Sequence, residues 1–89
     1  MATLDVHIFG YVQGTGYRYS AKQQADRLGI TGWIRNLDDG TVKARIHGSD
    51  DDVQVFLDWC KQGPVLAKVE RVETSDVSSF DADSFSIHY

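Results

Sequence analysis

The nine residues Gly10 to Arg18, Gly-Tyr-Val-Gln-Gly-Thr-Gly-Tyr-Arg, place three glycines just before an arginine. Glycine tolerates backbone conformations that turn successive N–H groups toward one point, and an oxyanion is the ligand that fits such a concavity. If a helix starts at Arg18, its first turn adds unpaired N–H groups and partial positive charge. Arginine itself is a permanent, forked cation whose geometry matches phosphate oxygens. The stretch therefore predicts a phosphate-binding loop before any fold is assumed. Most glycine-rich turns do no more than reverse the chain; Arg18, taken with the Asn36 motif further along, lifts this one above that reading.

Elements on both sides must hold such a loop in shape. Thr3 to Val12 alternates, with Leu4, Val6, Ile8, Gly10 and Val12 on one face, which predicts a half-buried strand. Tyr17, Ala21, Ala25 and Leu28 recur at helical spacing, and Gly29 is a natural stop. Thr31 to Asn36 reads as a second strand, Leu37-Asp38-Asp39-Gly40 as a hairpin turn, and Thr41 to Gly48 as the return strand with Val42, Ala44 and Ile46 inward. Ser49 is an N-cap followed by three aspartates, Asp50 to Asp52; Val53, Phe56, Leu57 and Cys60 then form an apolar helical stripe. Gly63-Pro64 ends that helix. Val65 to Thr74 predicts a fourth strand whose Val69 and Val72 are out of phase, the mark of a bulge. Phe85, Ile87 and Tyr89 alternate in a short last strand.

Each helix has one apolar stripe and the better strands have one apolar face. Two helices on one side of a mostly antiparallel sheet satisfy both. The expected fold is α+β, a ferredoxin-like split βαβ sandwich in the order βαββαβ plus a terminal strand, forming one domain over residues 1–89.

With 89 residues, 42% of them hydrophobic and 25% charged, the chain has ordinary globular composition. Its net charge of −4 argues against nucleic-acid and anionic-membrane partners, so an anion must be caught by local geometry. No run approaches the roughly 18 apolar residues of a membrane span. The start, Met1-Ala2-Thr3-Leu4-Asp5, lacks the features of a signal peptide, and the single cysteine, Cys60, has no internal partner. A reduced, cytoplasmic protein is expected, with Cys60 as inert core. His7, His47 and His88 match no metal-ligand spacing, and no metal or cofactor is expected. After the core is assigned no large apolar stripe remains, so a monomer is expected.

The loop and the hairpin together resemble the acylphosphatase family. That family carries G-x-V-Q-G-V-x-[FY]-R at its phosphate loop, and Gly10 to Arg18 matches every defined position but one. Its second signature appears as Gly32-Trp33-Ile34-Arg35-Asn36, then Gly40-Thr41-Val42, then Gly48. Two departures stand out: Thr15 occupies the usual valine position, and Ile34 is bulkier than usual. A buried Thr15 hydroxyl would need a hydrogen-bond partner. The resemblance implies metal-independent hydrolysis of small acyl phosphates, of the acetyl phosphate, 1,3-bisphosphoglycerate or carbamoyl phosphate type, to carboxylate and inorganic phosphate. It also implies a phosphate site made of Gln13, Gly14, Thr15, Gly16, Tyr17 and Arg18, with Arg18 and Asn36 catalytic and Asn36 holding the attacking water. The alternative is a non-catalytic acyl- or carbamoyl-phosphate-binding module.

Overall fold

A computed structural model describes residues 1–78 and 80–89. The alternating apolar residues become five strands: β1 (Ala2–Tyr11), β2 (Thr31–Asn36), β3 (Val42–Gly48), β4 (Lys68–Asp76) and β5 (Phe85–His88). Between them lie α1 (Tyr17–Leu28) and α2 (Asp50–Gln62). The strands form one sheet in the order β4-β1-β3-β2-β5. Every neighbouring pair is antiparallel except β2 with β5, which runs parallel. The helices pack on the sheet face that carries Val6, Ile8, Ile34, Ala44 and Ile46, all fully buried. Tyr17, Ala21 and Ala25 of α1 and Val53, Phe56 and Cys60 of α2 fill the same core. The expected ferredoxin-like α+β sandwich is the observed one.

Local chemistry explains the helix boundaries. Ser49 Oγ accepts the Asp52 N–H at 3.2 Å at the start of α2, as its residue type predicts. At the other end of α1, Gly29 is left-handed and the Ile30 N–H reaches back to the Ala25 carbonyl at 2.9 Å, which closes the helix. Leu57 is only half-buried, at the edge of the α2 stripe. Burial of Cys60 pushes its thiol pKa up to about 12, so it stays protonated and unreactive.

The fourth strand is where sequence and structure part. β4 begins at Lys68, not Val65, because the Ala67 N–H turns back to the Pro64 carbonyl at 3.0 Å. Val65 and Leu66 stand exposed on that turn. The bulge read from the phase of Val69 and Val72 is present. Phe9 pairs with Arg71 and Gly10 with Val69, so Glu70 is the extra residue. Gly10 is required there, since a Cβ would lie 2.2 Å from the Lys68 carbonyl oxygen. Among the described residues no helix is long and apolar enough to cross a membrane.

Candidate active site

One end of the molecule gathers the chain reversals that matter. β1 ends at Tyr11, the loop 12–16 follows, and α1 starts at Tyr17. Gly14 and Gly16 both adopt positive φ, 77° and 81°, and at each an added Cβ would meet nothing within 4 Å. These glycines are demanded by backbone conformation, not by crowding. Gly16 is the N-cap of α1 and makes no side-chain cap bond, and no acidic residue occupies the first turn. The forward-pointing N–H groups of this helix are therefore left for a ligand.

Tyr17 anchors the helix start from beneath. Its ring is buried, stacks obliquely on Trp59 at 5.2 Å, and its hydroxyl donates to the Cys60 carbonyl at 2.7 Å. Burial raises the Tyr17 phenol far above its ordinary pKa, which keeps it a neutral donor. Arg18, next in the chain, points the other way. One of its guanidinium nitrogens donates to the His88 carbonyl at 3.0 Å, and its Cζ lies 4.9 Å from the centre of the Tyr89 ring. The C-terminal residues thus steady Arg18 through a backbone carbonyl and an aromatic face. Lys22, one turn on, ties α1 to the same strand by donating to the Phe85 carbonyl at 3.0 Å.

A single cavity brings Gln13, Gly14, Gly16, Tyr17 and Arg18 together with Asn36, which arrives from the end of β2. Val12, Tyr19, Ile87 and Tyr89 complete its wall. Asn36 is half-buried, and its carboxamide takes part in none of the side-chain hydrogen bonds among the described residues. An amide so placed can both donate to and accept from a water molecule.

Two of the expected phosphate-site residues are present in a different way from the rest. Thr15 is buried and turned away from the cavity, its hydroxyl donating to the Val12 carbonyl. That bond answers the demand a hydroxyl makes in a valine position. Gln13 lines the cavity, but its side-chain NH₂ donates to the Leu37 and Thr41 carbonyls at 2.7 and 2.9 Å. Ile87 and Tyr19 escaped sequence reasoning. The alternation of Phe85 and Ile87 signals a strand but not its parallel pairing beside β2, which is what brings Ile87 to the site.

Fold and site together define a class: a small ferredoxin-like sandwich whose glycine-rich first βα turn runs into an uncapped helix start beside an arginine. A family model described as acylphosphatase matches residues 4–87. The chain is 44% identical over 86 residues to an acylphosphatase of a Nocardioides species, covering 97% of this chain and 87% of that one. It is 46% identical over 83 residues to an acylphosphatase of an Acidovorax species, covering 93% and 86%. Its structure matches the crystal structure of an acylphosphatase from Bacillus subtilis with a TM-score of 0.95, at 32% identity and full coverage of both chains. The chain belongs to the acylphosphatase family, and it is an enzyme of that family.

Proposed function

We propose that the protein hydrolyses the carboxyl–phosphate bond of small acyl phosphates without a metal ion. Arg18 and the backbone N–H groups of residues 13–18 hold the phosphoryl oxygens, and Asn36 orients the attacking water. Water adds to phosphorus in line with the leaving group. The P–O bond to the acyl oxygen breaks and its electron pair departs with the carboxylate. A phosphate oxygen of the substrate takes the water's proton, because a carboxamide is too weak a base to do so. The products are one carboxylate and one orthophosphate. Phosphoryl transfer asks the protein mainly for positioning and charge stabilisation, which these groups supply. An acyl carboxylate is already a good leaving group, so no strong general acid is required.

The observation that carries this reading is the meeting of Arg18, the open start of α1 and Asn36 around one cavity. A non-catalytic acyl-phosphate-binding module is the less favoured alternative. The protein is read further as a cytoplasmic monomer, in keeping with its single buried cysteine. Benzoyl phosphate hydrolysis tests the function, with wild type, Arg18→Ala and Asn36→Ala assayed side by side. Turnover by wild type should be indifferent to chelator. Asn36→Ala should lose about 10²-fold in turnover, the scale of a misplaced reactant, while inhibition by orthophosphate is retained. Stoichiometric binding without turnover by wild type would favour the module.

A further inference from the structure

We propose that Gln13 is a positioning residue of the reaction: its carboxamide locks the hairpin that carries Asn36 onto the loop that receives the phosphoryl group. The inference rests on the acyl phosphate reading above. It starts from the turn between β2 and β3. There the Leu37 N–H donates to the Thr41 carbonyl at 2.8 Å, and the Gly40 N–H donates to the Leu37 carbonyl at 3.2 Å. Each of those two carbonyls has a second lone pair. The two hydrogens on Gln13 Nε2 take both, at 2.7 Å to Leu37 and 2.9 Å to Thr41. One nitrogen therefore straddles the mouth of the turn, and a residue of the phosphate loop completes the hydrogen bonding of a hairpin 24 residues further along the chain.

Leu37 directly follows Asn36. The Leu37 N–H belongs to the peptide that joins Leu37 to Asn36, and the Thr41 carbonyl that accepts it is the one Gln13 also holds. The clamp thus steadies the peptide plane next to the residue that aims the water. The same two bonds leave Gln13 with no side-chain N–H for a phosphate oxygen. Its contribution to an anion is its backbone alone.

The far side of the turn is braced as well. Asp39 accepts both the Thr41 N–H at 3.0 Å and the Thr41 hydroxyl. These bonds hold the Asp39 carboxyl below the usual carboxylate range, so it is ionised and can only accept. The Thr41 hydroxyl must then donate to Asp39 and accept from His7 Nε2, 2.7 Å away on β1. This bond polarity puts a proton on His7 Nε2. Thr41 is consequently held from the sheet by His7, from within the turn by Asp39 and from the phosphate loop by Gln13. Only the last of these connects the two halves of the reacting geometry. An error of about 1 Å between reactants is enough to lower a rate 10²-fold, so a clamp made by the Gln13 side chain governs turnover without that side chain touching substrate.

The test is a double-mutant cycle of Gln13→Leu and Asn36→Ala, read with benzoyl phosphate turnover and orthophosphate inhibition. Gln13→Leu should lower kcat about 10- to 100-fold while leaving the inhibition constant for orthophosphate within about twofold. In the Asn36→Ala background the same change should alter kcat by less than about twofold, because the residue it positions is gone. A rise in the orthophosphate constant with kcat preserved would make Gln13 a phosphate ligand and overturn the proposal. So would an undiminished kcat loss in the Asn36→Ala background, or no loss at all. Gln13→Glu, which keeps the side-chain length but offers the carbonyls at most one proton, should reproduce the kcat defect if the leucine variant folds poorly. Amide hydrogen exchange gives a reading independent of turnover: exchange at Leu37 and Gly40 should speed about tenfold in Gln13→Leu. Unchanged exchange would overturn the clamp even in a protein that hydrolyses acyl phosphates. An inert wild type whose exchange responds as expected would instead remove the acyl phosphate reading.

Discussion

The two helices begin in opposite ways. α2 opens with Ser49 capping the Asp52 N–H and with Asp50, Asp51 and Asp52 in its first turn, so its dipole and donors are answered by the chain itself. α1 opens on Gly16, with no side-chain cap, no acid in the first turn and Arg18 at the second helical position. A cation there stands where the helix dipole already favours negative charge. The first arrangement stabilises the fold; the second leaves positive potential and free donors, where we propose that the phosphoryl group binds. Helix starts differ in what they leave unsatisfied, and that difference marks the site.

The contrast can be broken at α1 or at α2. The largest effect should come from Arg18→Lys, which keeps the charge but removes the planar fork. Its kcat/KM for benzoyl phosphate should fall on the order of 10³-fold, the lower range for phosphoryl-transfer arginines. A variant retaining most of its activity would mean that charge alone suffices. Next is Tyr19→Asp, which gives the exposed third position of α1 the kind of acid that α2 already has. Orthophosphate inhibition should weaken about fivefold, equivalent to about 1 kcal/mol, while thermal stability holds or rises. Unchanged inhibition would show that the start of α1 does not sense the ligand.

At α2 the expected outcome is reversed. Ser49→Ala should lower stability by about 0.5–1 kcal/mol in urea unfolding, with kcat/KM unaltered. A matching loss of activity would couple the two helix starts, against the division drawn here. The smallest effect lies away from both. Asp5 accepts two bonds from Arg45 on the open sheet face, at 2.6 and 3.0 Å, and these hold its carboxyl below the ordinary range. The folded state therefore binds that proton less tightly than the unfolded chain. Its stabilisation is present above the unfolded pKa and disappears as pH falls through the folded one. Asp5→Asn should lower the melting temperature slightly at pH 7 and flatten the acid limb of a stability profile, with orthophosphate inhibition unmoved. An unchanged acid limb would show that another carboxylate governs it.

Much of this was readable from residue types because the signals are local. The Ser49 cap, the Gly29 stop and the apolar stripes of α1 and α2 each act within one or two helical turns. The bulge in β4 showed as a break in period, since Val69 and Val72 cannot share a face without an extra residue between them. The start of β4 did not show, because Val65 and Leu66 have strand-like side chains but are drawn into a turn by Pro64 and exposed.

For the site, the chain alone marked Gly10 to Arg18 as an anion loop, because glycine conformation and arginine charge are properties of single residues. It also supplied the capping chemistry that separates α1 from α2. The second signature already named Asn36 as that loop's partner; only the tertiary structure decided that Ile87 and Tyr89 close the cavity and that the Gln13 side chain turns to the hairpin. Those outcomes depend on strand order and register, which arise from burial summed over the whole sheet. No short stretch of sequence carries that sum.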